Sequence, residues 1–186
     1  MNSLEEIKTA VTSCKLCSIG CQEVAGCNSN VFSNMTNSKI MVIGQNPGET
    51  EVKLGVPFVG MSGKFFDSCI KEVLGIERSA LYITNTVKCY TQGNRAPTNE
   101  ETANCRAFLD KEIEVIKPKI IVTLGNPALK QITGYVGITK WHGQIILSLR
   151  YKTPVLPLYH PSPLNTNKPA IREEFKQDLA KLREYL

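Results

Sequence analysis

The chain has no apolar run approaching the roughly 20 residues that cross a bilayer. Its start, Met1-Asn2-Ser3-Leu4-Glu5-Glu6, lacks the basic and then apolar order of a secretory signal. A soluble protein of the cell interior, with no membrane partner, is expected. Internal repeats and extended low-complexity tracts are also missing, and 186 residues with 42% apolar and 21% charged content suffice for one domain but not for two. Residues 1–186 are read as that one domain, acting as a monomer. Disulfides are not expected in a reducing interior, and seven cysteines leave at least one unpaired in any scheme. Metal ligation becomes the question. The net charge of +5 favours polyanionic partners only weakly.

What is present is an alternation of short apolar runs and amphipathic segments. Residues 39–43, 81–84, 119–124 and 154–158 have the pattern of strands buried on both faces. Between them, 63–74 places Phe65, Phe66, Cys69, Ile70, Val73 and Leu74 on one helical stripe. Thr98-Asn99-Glu100-Glu101 is a capping box opening a helix to about Ile116, and Asn126-Pro127 offers an N-cap and a first-turn proline. The polar stretch from Cys27 to Ser38 reads as a loop. The expected fold is α/β: a three-layer α/β/α sandwich around a central, mostly parallel four-stranded sheet. Ligands of such sheets bind beyond the carboxyl ends of the strands, so the residues after each strand matter most.

Three of those loops are unusual. The first carries Gly44-Gln45-Asn46-Pro47-Gly48 and then Gly55-Val56-Pro57-Phe58-Val59-Gly60, the second Asn85, and the third His160-Pro161-Ser162-Pro163-Leu164-Asn165. Singly, each reads as a turn or a structural histidine. Together they bring a histidine, side-chain amides and an aromatic ring to one end of one sheet, a set suited to a base extruded from nucleic acid, stacked on a ring and read by an amide. Phe58 and Asn85 suit those two tasks.

With these motifs, and with 82–89, 93–98, 117–125 and Tyr159-His160-Pro161-Ser162, the sequence resembles the uracil-DNA glycosylases over about Cys14 to Leu164, above all their iron-sulfur family 4. The resemblance implies the uracil-DNA glycosylase fold and hydrolysis of the N-glycosidic bond of uracil in DNA, as in base excision repair inside the cell at the nucleoid. It assigns His160, with a backbone N–H near Gln45, to the base O2. Asn85 goes to the N3 and O4 edge, and Phe58 to the ring face. Gly44, Gly48 and Ser162 line the substrate, Leu164 fills the hole left by the flipped base, and Lys168 and Arg172 contact phosphates. Leu164 as a core anchor is the alternative. No lysine occupies an evident Schiff-base position, so strand cleavage is not expected.

Two features depart from family 4, which carries an acidic residue at the position of Gln45 and a small one at that of Asn46. Gly-x-Asn-Pro-Gly resembles instead the mismatch-specific and single-strand-selective branches, in which the asparagine positions the water. Asn46 is therefore the first candidate for that role and Gln45 the second. The missing carboxylate implies slower chemistry, or a cluster-bearing protein that binds damaged or single-stranded DNA without cleaving the bond. Gly48 leaves thymine and deaminated purines unblocked.

Cys14, Cys17, Cys89 and Cys105 match the family 4 cluster layout. Four thiolates suit a [4Fe-4S] cluster or a tetrahedral zinc; the resemblance implies the cluster. Cys21 or Cys27 is an alternative to one of the first pair, and Cys69 belongs to the core. The cluster would be structural, holding Lys88, Arg95 and Arg106 toward DNA.

Overall fold

The computed structural model describes residues 1, 3–21, 23, 24, 27, 28 and 30–186, and between 21 and 29 the backbone alone. Helix α1 (Leu4–Thr12), capped by the Ser3 hydroxyl, leads to a small antiparallel pair, β1 (Glu23–Val24) and β2 (Cys27–Asn28). The polar stretch expected as a loop is thus paired at Cys27–Asn28 and irregular from 31 to 38. The central sheet holds β3 (Ile40–Gly44), β4 (Tyr82–Asn85), β5 (Ile120–Leu124), β6 (Ile146–Ser148) and β7 (Thr153–Leu158) in the order β4-β3-β5-β7-β6. Four strands are parallel, as the buried apolar runs predict. The fifth, β6, corrects the expected count: it runs antiparallel along the edge of β7, and its three residues alternate too briefly to be read from sequence.

Because side chains alternate across a strand, each strand feeds two cores. Val42, Ile83, Val122 and Leu156 pack against Phe66 of α3 (Met61–Cys69), Ile70 of the wide helical turn that follows it, and Phe175 and Leu179 of α8 (Pro169–Leu179). Met41, Tyr82, Ile121 and Val155 pack against Leu109 and Ile113 of α4 (Asn99–Ile116) and Ile132 of α5 (Asn126–Thr133). These are the three layers. The capping box of α4 forms as expected, with the Thr98 hydroxyl accepting from Glu101 N–H and the Glu101 carboxylate from Thr98 N–H. At α5 the N-cap is Gly125, and Asn126 lies one residue inside. The side chain of Asn126 turns outward to accept from Gly137 N–H at 2.7 Å.

The register aligns the carboxyl ends: Gly44 faces Asn85, Ile43 faces Thr123, and Leu124 faces Leu158. The loops leaving at 45, 86, 125 and 159 therefore share one edge.

Beneath that edge lies a buried ion pair. Lys88, 1% exposed, donates to Thr84 Oγ1 and to the Asn85 carbonyl, each at 2.7 Å, and to the Glu112 carboxylate. Glu112 also accepts from the Tyr82 and Thr84 hydroxyls at 2.7 and 2.9 Å. This corrects the expectation that Lys88 faces DNA: its ammonium is consumed inside the protein. Removing one partner of such a pair strands the other charge, so Glu112→Ala is expected to cost about 3–5 kcal/mol of unfolding free energy. In urea titrations, Lys88→Met/Glu112→Leu should recover most of that loss. Arg95 and Arg106 are also engaged, Arg95 by the Glu101 carboxylate and Arg106 by the Gln131 side chain and carbonyl.

Candidate active site

At the carboxyl edge of the sheet a cleft of about 370 Å³ is lined by Asn46, Gly48, Phe58, Asn85, His160 and Ser162 among others. Six of the residues singled out in the sequence thus come together. Gln45 is not among them; it lines a smaller adjoining cleft of about 260 Å³ that shares Asn46 and His160 with the first. Gly44 lies behind Asn85. Leu164, on the short helix α7 (Pro163–Thr166), is 84% exposed, so it is no core anchor.

Asn85 is 2% exposed, and its Oδ1 accepts no hydrogen bond from any described residue. A buried amide oxygen left without a donor is costly unless a ligand supplies one. The amide sits there because position 44 is glycine: a Cβ at Gly44 would lie 2.4 Å from Asn85 Oδ1.

Phe58 has φ of +59°, a left-handed conformation that costs a non-glycine residue about 1–3 kcal/mol. Two contacts enforce it. Arg78 donates to the Pro57 and Phe58 carbonyls at 2.6 and 3.1 Å while paired with Asp67 at 3.2 Å. Gly63 brings the α3 backbone so close that a Cβ there would lie 1.9 Å from the Phe58 carbonyl oxygen. The ring meets the His160 imidazole edge-on, with centroids 6.0 Å apart.

Burial holds the His160 imidazole below the ordinary histidine range, so it is neutral at pH 7. Its carbonyl accepts from Asn165 Nδ2 at 2.8 Å, so Asn165 braces the loop from beside the cleft. Asn46 uses its amide nitrogen on the Pro47 carbonyl at 3.1 Å, Thr91 Oγ1 at 3.3 Å and Asn94 Oδ1 at 3.5 Å. Among the described residues no donor reaches its oxygen.

Glu51 went unread in the sequence, although it stands three residues after Gly48, where a glutamate closes a helix N-terminus. On helix α2 (Glu49–Leu54) its carboxylate accepts from the Gly48, Val59 and Gly60 N–H groups at 3.1, 2.9 and 2.7 Å. It ties the 44–48 loop to the 57–60 loop. A Cβ at Gly48 would lie 2.7 Å from Glu51 Oε2, so glycine at 48 serves this tie as well as the openness of the cleft. Arg78 was missed too, because nothing local marks its targets 20 and 21 residues back.

Cys17, Cys89 and Cys105 gather around Val87. Cys89 and Cys105 are buried with Ile19 and Val87, Cys17 packs against them, and a Cβ at Gly20 would touch both the Cys14 carbonyl and Cys89 Sγ. Asn104 donates to the Leu16 carbonyl at 3.0 Å, fixing the Cys14–Cys17 turn to α4. Among the described residues no three potential ligands are drawn into a closed metal-binding set. The side chains of Cys21 and Cys27 lie outside the described residues.

Beyond a parallel sheet, an apolar ring, an amide oxygen with no donor among the described residues and a neutral imidazole line one cleft, chemistry that a planar polar heterocycle would match. A family model described as the Uracil DNA glycosylase superfamily matches residues 31–183. The chain belongs to that superfamily. It is similar to proteins named Type-4 uracil-DNA glycosylase: that of Sulfurisphaera tokodaii at 41% identity over 99% of this chain and 85% of the relative. The same holds for that of Saccharolobus solfataricus at 35% over 100% and 88%, and for that of Thermotoga maritima at 36% over 98% and 94%. No helix among the described residues is long and apolar enough to cross a membrane.

Proposed function

We propose that this chain is a monofunctional uracil-DNA glycosylase of base excision repair, hydrolysing the N-glycosidic bond of uracil in DNA. It would act as one domain and as a monomer, inside the cell at the nucleoid. The observation that carries the reading is Asn85: a buried amide oxygen with no donor among the described residues, in one cleft with an aromatic ring and a neutral imidazole. The names of the relatives agree with it.

A flipped uracil stacks on Phe58 and gives its N3–H to Asn85 Oδ1, while the amide nitrogen donates to O4. The bond from C1′ to N1 breaks with its electron pair leaving on the base. The negative charge developing on O2 meets the His160 N–H, a donor that is already neutral and in place, so no proton transfer is needed. Water held by Asn46 Oδ1 adds to C1′, and the proton it loses balances the base anion, giving uracil and an abasic site. The fixed amide nitrogen of Asn46 favours it over Gln45, whose place is in the adjoining cleft. The carboxylate absent at position 45 is not replaced by a free one: Glu51 is occupied by three N–H groups, and Glu49 pairs with Lys53.

Ser162 starts α7 and presents the exposed Leu164, which suits an apolar wedge. Lys168 and Arg172, both exposed, suit phosphates. Cys14, Cys17, Cys89 and Cys105 suit a [4Fe-4S] cluster: Cys17 packs against the buried Cys89 and Cys105, and the Cys14 backbone lies beside Gly20, which also borders Cys89 Sγ. Such a cluster supplies structural cross-linking, and every step above uses side chains of the protein.

Gly48, which projects nothing into the cleft, supports hypoxanthine, xanthine and mismatched thymine as further substrates. Oligonucleotides carrying each base, single-stranded and paired, rank them. Uracil is expected to be released fastest, and release of none of them by the wild-type protein would leave a DNA-binding protein without catalysis.

A further inference from the structure

The segment after α5 forms a surface that base excision itself does not use. Tyr135 and Trp141 are stacked face to face, with centroids 4.5 Å apart and planes inclined by 9°, and Tyr135 is 41% exposed. Lys140 lies over the indole, its Nζ 4.9 Å from the ring centroid. The pair is carried by the turn Gly134–Gly137 and helix α6 (Ile138–Trp141), which Asn126 fixes through Gly137 N–H.

This surface continues the catalytic cleft. Ile138 lines the smaller cleft together with Asn126 and His160, and Gly125 lies so near His160 that a Cβ would be 3.1 Å from the His160 Cβ. Lys130 of α5 and Lys140 of α6 are the cations its two helices carry, and neither helix carries an aspartate or glutamate. Asp178, whose carboxylate reaches toward Gly143, is engaged by His142 at 2.9 Å and Lys181 at 3.1 Å.

We propose that the outer face of Tyr135, backed by Trp141 with Lys140 over the indole, is a stacking platform for an unpaired base of single-stranded DNA running out of the catalytic cleft. An aromatic face beside a cation binds bases without regard to sequence. In a duplex both faces of each base are already covered, so the platform favours the single strand. The location rests on the glycosylase reading, because that reading places DNA in the cleft.

A uracil-free single-stranded oligothymidylate is the probe, with a blunt duplex of equal length as its counterpart. Trp141 is the only tryptophan in the chain, so its fluorescence reports the platform directly. Binding of the oligothymidylate is expected to quench it. Tyr135→Ala is expected to weaken single-strand binding about five- to hundredfold, measured by anisotropy of a labelled strand. Tyr135→Phe should bind like the wild type, and all three proteins should bind duplex equally. Equal binding of oligothymidylate by Tyr135→Ala and wild type would overturn the proposal, and so would equal losses on single strand and duplex. The probe contains no uracil, so a protein that binds it through Tyr135 and excises nothing refutes the glycosylase reading alone. One that excises uracil and binds the probe identically without Tyr135 refutes the platform alone.

Discussion

His160→Ala is expected to slow single-turnover release of uracil about 100- to 1000-fold, the usual consequence of deleting one preorganised donor to a developing oxyanion. The expectation follows from geometry and protonation together. His160 sits across from Phe58 in the cleft, and burial keeps its imidazole neutral. A neutral imidazole donates through one nitrogen without becoming a general acid, so the rate should stay level as pH falls through the ordinary histidine range, near 6.5. Stability should behave differently. The folded protein resists protonating His160 while the unfolded chain accepts the proton near 6.5, so unfolding free energy should begin to fall as pH drops below that value. A histidine acting as a cationic acid would give the opposite result, with activity rising as pH falls.

The second large effect is steric. Gly63→Ala would set a Cβ 1.9 Å from the Phe58 carbonyl oxygen and 2.3 Å from its carbon, both backbone atoms that no rotamer change can move aside. Helix α3 and the 57–60 loop must separate, and Phe58 loses the contact that holds its left-handed backbone. Overpacking costs about 1–3 kcal/mol where side chains can yield and more where they cannot, so a loss above about 3 kcal/mol is expected in urea unfolding. Uracil release, measured where the variant remains folded, should fall as well. Gly75→Ala is the contrast: open space surrounds that position, and only its φ of +70° is unfavourable. It is expected to cost about 1 kcal/mol and leave activity unchanged.

These effects mark what sequence can convey and what it cannot. The four parallel strands were legible because burial on both faces writes an unbroken apolar run, and the start of α4 because its capping box is local. The gathering of Asn46, Phe58, Asn85 and His160 followed from one rule, that loops after parallel strands share an edge. Lys88 was misread because its partner Glu112 lies 24 residues away, and a lysine in isolation reads as exposed. Arg78 was passed over for a related reason, since its targets are backbone carbonyls 20 and 21 residues back, whereas Glu51 had a local mark in its place three residues after Gly48. That Leu164 is no core anchor is seen only from its exposure. The substitution of Gln45-Asn46 for the family 4 pattern was visible at once, yet the structure was needed to show the Asn46 nitrogen tied down and its oxygen without a donor among the described residues.

In the proposed reaction Asn46, Asn85 and His160 hydrolyse the glycosidic bond of a uracil held against Phe58. Its most direct test is quantification of free uracil and of uncut abasic strand from a uracil-containing oligonucleotide, with wild type and Asn46→Ala side by side. Equal amounts of the two products are expected from the wild type, and a release rate lower by about two orders of magnitude from the variant. Wild-type protein that binds the oligonucleotide and leaves its uracil in place, or an Asn46→Ala variant as fast as the wild type, would contradict it.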